Sequence, residues 1–162
     1  MRTLLAVLLF LFLMPVAFCA NAAGPDPVRS CVEKMSRIKF VSRHGLNPED
    51  PILNQLVAEG TRNNTCLLAA LKDGALIKNP FESPIISQVA RSQLALYLVT
   101  RVNGLQMESC FPDSLVAAMN RDLYAYHAWF SHPENLSALH QRCSALVKRG
   151  ALVSSPSGLP GS

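Results

Sequence analysis

Ile86-Ser87-Gln88-Val89-Ala90-Arg91-Ser92-Gln93-Leu94-Ala95-Leu96-Tyr97-Leu98 decides the fold class. Ile86, Val89, Gln93, Leu96 and Tyr97 recur at three- and four-residue steps, the spacing that lines up side chains on one face of an α-helix. Asn79-Pro80 and Ser83-Pro84 bracket a loop ahead of this stretch, and Asn103-Gly104 is a C-terminal stop behind it. The spacing therefore predicts a helix from about Pro84 to Val102, the longest in the chain. Its stripe is apolar except for Gln93. A buried amide without partners costs roughly 1–3 kcal/mol, so Gln93 either bonds a nearby backbone group or faces a ligand with polar edges.

Working outward, the same periodicity continues. Val28, Cys31, Val32, Met35 and Ile38 share a face, and Gly45 stops that helix. Asp50-Pro51 reads as an N-cap followed by proline at the first helical position, where a missing N–H costs nothing. Ile52, Leu53, Leu56 and Val57 form the apolar side of this second helix, and Gly60 closes it. A third starts near Asn64-Thr65, carries Cys66, Leu67, Ala70 and Leu71, and fades around Gly74. Downstream, a helix follows Pro112-Asp113-Ser114 and runs to about Phe130 through Leu115, Met119, Leu123 and Tyr126, with Asp113 as its cap. The last holds Leu136, Leu139, Cys143, Leu146 and Val147 and ends at Gly150. About six helices and no convincing strand make an all-α protein.

The chain has 162 residues, 49% hydrophobic and 16% charged, which fits one domain and is too apolar for intrinsic disorder. The net charge of +4 is spread without a run of like charges, so no nucleic-acid surface is indicated. Residues 1–23 read as a secretory signal peptide: Arg2, the apolar run Leu4 to Met14, Pro15, and the small residues Ala20-Asn21-Ala22 at the cleavage site. Residues 24–150 then form the helical domain, and 151–162 a flexible, linker-like tail with Ser154-Ser155-Pro156-Ser157-Gly158. No later stretch is apolar enough to span a membrane, and the mature chain is expected to be secreted. Cleavage leaves Cys31, Cys66, Cys110 and Cys143. An even number in an oxidising compartment reads as two structural disulfides, with three possible connectivities. Spacings of 35, 44 and 33 residues, with no C-x-x-C pair, argue against zinc.

Catalytic chemistry is not visible. His44, His127, His132 and His140 lack metal-ligand spacing and read as scattered surface histidines. No G-x-S-x-G elbow and no glycine-rich phosphate loop are present, so the chain is not expected to be an enzyme. Two N-x-[S/T] tripeptides make Asn63 and Asn135 glycosylation candidates in a eukaryotic secretory host, and Asn64 doubles as a helix cap. In Arg121 to Phe130, Tyr124, Tyr126 and Trp129 point in different directions, so some of them face outward.

Ser92-Gln93-Leu94-Ala95-Leu96-Tyr97-Leu98 resembles the G-Q-L-A-L-Y-L helix of the vertebrate cobalamin carriers, the family of transcobalamin, intrinsic factor and haptocorrin. Asn47-Pro48 with Ile52-Leu53 and Leu56-Val57 is similar to that family's early N-P-S helix. Cys110 follows the Gln93 helix as a family cysteine does, and Ser114-Leu115-Val116 with Met119 resembles the next helix. The likeness covers about Asn47 to Phe130. It implies part of an (α/α) barrel-like helical domain, a cobalamin ligand, Gln93 as a polar contact to the corrin side chains, and a cell-surface receptor as a further partner. A T-x-Y-Y-Q-Y-type motif does not follow His132, and no stretch matches the family's β domain. On this reading the protein captures a corrinoid without covalent chemistry. The rival is a small secreted interaction module, an inhibitor or periplasmic immunity-type protein, with Tyr124, Tyr126 and Trp129 as anchors.

Overall fold

The computed structural model describes residues 27–41, 50–81, 85–122 and 124–154. The signal-peptide reading, His44, Gly45, Asn47-Pro48 and Leu123 lie outside these residues. Within them the chain is helical, with seven α-helices, two 3₁₀ turns and one two-stranded ribbon. The helices are α1 (Pro27–Arg37), α2 (Pro51–Glu59), α3 (Asn64–Ala70), α4 (Arg91–Asn103), α5 (Asp113–Met119), α6 (Ala125–Phe130) and α7 (Pro133–Ser154).

The N-terminal half is assembled by polar ties over an apolar floor. Asp50 Oδ1 accepts from Ile52 N at 2.8 Å, the cap expected of Asp-Pro, and Oδ2 accepts from Lys39 N at 2.9 Å. One carboxylate therefore starts α2 and holds the segment leaving α1. Lys34 Nζ meets Glu59 Oε1 at 2.8 Å, joining α1 to the end of α2. Gly60, with φ 61° and ψ −141°, stops α2 in a conformation nearly restricted to glycine. Cys31 bonds Cys66, stapling α1 to α3, and Cys110 bonds Cys143, stapling the 3₁₀ turn Met107–Cys110 to α7. Both disulfides lie in one continuous core with Met35, Leu53, Leu67, Leu94, Leu98 and Leu139.

Several boundaries differ from the sequence reading. The first helix ends at Arg37, well before Gly45, because Lys39 N leaves the helical pattern to bond Asp50 Oδ2. The long central helix begins at Arg91, not Pro84, because Gln88–Ala90 pairs antiparallel with Leu76–Lys78 (β2 and β1). The β-branched Ile85, Ile86 and Val89 suit extended backbone as well as a helical stripe. Carbonyls of the preceding turn hold the helix start: Arg91 N donates to Ala75 O and Ser92 N to Asp73 O. The helix predicted to run to Phe130 is two, α5 and α6. Asp122 Oδ1 accepts from Tyr124 N at 2.8 Å, a local turn that competes with helix continuation. Asn64 and Asp113 are first helical residues rather than side-chain caps, and Asn64 instead exchanges two 2.9 Å amide bonds with Asn103. Finally, α7 continues through Gly150 to Ser154, into the segment expected to be a tail.

Candidate functional site

Gln93 lies in the first turn of α4 and is 2% exposed. Its Oε1 accepts from Ala90 N at 3.0 Å, and its Nε2 lies 3.1 Å from His127 Nδ1 on α6. The roles follow from donor chemistry. A backbone N–H can only donate, so the amide oxygen must face Ala90, and the amide nitrogen therefore donates to His127. His127 Nδ1 must then be the unprotonated, accepting nitrogen. The His127 ring is half-buried and stands edge-on to Tyr126, with centroids 5.2 Å apart. Gln93 thus closes the start of its own helix and ties α4 to α6.

The remainder of the α4 N-terminus is only partly engaged. Arg91 Nη1 pairs with Asp73 Oδ2, tying the first residue of the helix to the turn after α3, while its buried Nε has no hydrogen-bond partner. Ser92 is fully buried, and its Oγ has no hydrogen-bond partner. A glycine, as in the resembling G-Q-L-A-L-Y-L helix, would carry no such hydroxyl.

The aromatic segment divides in two. Phe111, 1% exposed, is the hub of a cluster in which Tyr126, Trp129 and Phe130 stand edge-on at 5.8, 5.6 and 6.2 Å. Tyr126 and Trp129 are therefore half-buried, and only Tyr124, 56% exposed, stands outside as an anchor would. Beside the cluster, α5, α6 and the start of α7 border a groove of about 390 Å³. Ala118, Ala125 and Ala128 leave the gap, Trp129 forms a wall, and Ser114, His132 and Asn135 bring polar groups to it. Asn135 Nδ2 donates to Trp129 O at 3.0 Å, and His132 Nδ1 lies 3.5 Å from Glu134 Oε1. Gln93 does not line this groove.

Other predicted residues fall apart from one another. Asn63 Nδ2 donates to Leu56 O at 3.2 Å and Glu59 Oε2 at 2.9 Å, so both sequon amides are engaged with protein groups. His140 is half-buried on α7, where burial first, and then Lys72 and Lys148, push its proton affinity below that of an ordinary imidazole. Among the described residues no group of three His, Cys, Asp or Glu side chains is arranged to hold a metal, and no helix is long and apolar enough to cross a membrane. The residue that sequence reasoning missed is His127. It was read as a surface histidine because its partner lies 34 residues away on another helix, and no spacing rule connects the two.

Comparison with protein families, curated proteins and solved structures gives no match for this chain.

Proposed function

We propose that the protein is an exported, non-enzymatic carrier that captures a corrinoid without covalent bonds. One observation carries this reading: Ser92–Leu98, the segment resembling the cobalamin carriers, forms the first half of α4 and sets its single stripe amide at the contact with α6. Gln93 Nε2 would donate to a ligand oxygen in place of His127 Nδ1, with the bond from Ala90 N holding the amide in the required orientation. Because Gln93 is 2% exposed, the six-residue α6 must shift for contact, and its joint is the Asp122–Tyr124 turn. The enclosing walls would be the apolar and aromatic side chains around Phe111. A cell-surface receptor would read the loaded form.

Titration of the oxidised protein with aquo- and cyanocobalamin, followed by visible absorbance and calorimetry, tests this. Stoichiometric binding is expected, weakened at least tenfold (about 1.4 kcal/mol) in Gln93→Met and tightened in His127→Ala, which leaves the amide open. Absence of binding at high micromolar ligand, or full affinity in a folded Gln93→Met protein, overturns the proposal.

The groove bordered by Trp129 favours a second reading, an interaction module whose partner inserts an apolar side chain beside that ring. Here Trp129→Ala and Tyr124→Ala weaken capture of one protein partner, while cobalamin leaves the absorbance unchanged.

A further inference from the structure

His140, Ser144 and Lys148 follow one another at four-residue steps on α7, which places them on one side of the helix over about 12 Å. Lys72 comes to the same side from the turn after α3. That turn rests on α7: a Cβ at Gly74 would stand 3.4 Å from Leu136 Cδ1, one helical turn before His140. Lys72 and Lys148 are exposed and His140 is half-buried between them. Arg29–Glu33, Lys34–Glu59, Arg91–Asp73 and His132–Glu134 form ion pairs elsewhere on the surface. None involves this strip, and the carboxylate next in sequence to Lys72, Asp73, is already taken by Arg91.

We propose that the Lys72–His140–Lys148 strip docks a sulfated polysaccharide. Unopposed like charges on one face repel one another, and an anion laid between them reverses that cost. A single small ion cannot touch both ends of a strip about 12 Å long, whereas a chain with repeated sulfate groups can. The single ring in the strip is the half-buried imidazole of His140, so the strip lacks the row of exposed aromatic side chains on which successive bases of a single-stranded nucleic acid stack. Burial first, and then Lys72 from the turn after α3 and Lys148 on α7, disfavour protonation of His140. A bound sulfate favours it. By reciprocity, protonation of His140 strengthens docking, so affinity rises as the pH falls into the range, below that of an ordinary imidazole, where the folded His140 takes up its proton. This inference requires nothing of the corrinoid site.

Calorimetry with a heparin octasaccharide at low salt, at neutral pH and at about pH 5.5, provides the test. The intact protein should bind, and more tightly in acid. Lys72→Ala/Lys148→Ala should lose about three- to tenfold in affinity, the range of two exposed ionic contacts. Arg37→Ala/Lys39→Ala, a pair of exposed cations on and just after α1, should retain it. His140→Gln should bind at neutral pH without the acid gain. The proposal fails if heparin does not bind, if the α1 pair matters as much as the strip, or if His140→Gln keeps the acid gain. Equal binding of inorganic polyphosphate through the same residues also overturns the choice of a sulfated partner.

Discussion

Replacing Gln93 with methionine separates what the fold asks of this residue from what a ligand asks. Methionine keeps the length and helix propensity of glutamine and removes only the amide. Two groups then lose a partner. Ala90 N–H belongs to a 6%-exposed residue, and a buried donor left unmade costs about 1–3 kcal/mol. His127 is half-buried and can turn part of its ring to water, so its loss is nearer the net value of an ordinary hydrogen bond, about 0.5–1.5 kcal/mol. The sum is a destabilisation of about 1.5–4.5 kcal/mol. For a domain of this size that lowers Tm by about 5–18 °C. Urea unfolding of the single variants and of Gln93→Met/His127→Ala completes a double-mutant cycle, with an expected coupling of about 1 kcal/mol. A Gln93→Met protein within about 0.5 kcal/mol of the parent would refute the reasoning, since it would mean that neither bond is made in solution. That same protein would be the cleanest probe of the ligand role, because any lost corrinoid affinity could not come from lost structure.

Ser92→Ala should stabilise the protein by about 1 kcal/mol, because it removes a fully buried hydroxyl that has no partner and adds a better helix former; thermal unfolding reads this, and a loss of stability would show that Oγ is bonded. Removing either disulfide as a Cys→Ala pair should cost about 4 kcal/mol, the loop-closure value for the 35- and 33-residue separations, seen as a fall in the urea midpoint. Acid should destabilise the fold in two stages. His140 is held neutral below the usual imidazole range by burial, Lys72 and Lys148, so its contribution is complete above about pH 6.5 and fades as the pH falls towards its lower folded value; His140→Gln should remove this stage. Glu59 is held ionised by hydrogen bonds from Lys34 and Asn63, so its contribution is complete above about pH 4.3 and is lost below that as the folded carboxyl protonates. Urea midpoints across this range would expose a mistaken sign as stability that rises in acid.

Apolar periodicity was enough to find the helices that pack on one continuous face. Met35, Leu53, Leu67, Leu115 and Leu139 were all placed by three- and four-residue spacing, and all are buried. The four cysteines were recognisable as bridges but not as pairs, since pairing depends on which helices meet. Periodicity failed where two structures satisfy one pattern. Ile86 and Val89 stand three apart, which suits a helix, yet Val89 instead opposes Ile77 in the ribbon. Deciding between them required knowing that Leu76–Lys78 lies alongside, a contact that local spacing cannot encode. The break within the aromatic segment was more accessible: Asn120 and Asp122 are residues whose side chains compete for backbone groups, and Asp122 does so.

The candidate site shows the same division between local and distant information. That Gln93 needed partners followed from its neighbours on the helix; that one partner is His127 did not. The pairing gives the corrinoid reading a physical condition it lacked in the sequence. A ligand that takes over the amide nitrogen must offer a better acceptor than an imidazole, and must also offset the loosening of α6 from α4. A carrier built this way binds with an affinity reduced by the fraction of time α6 remains closed. His127→Ala removes that competition, so it should raise corrinoid affinity while lowering stability. A variant in which both quantities fall together would leave Gln93 with a purely structural role.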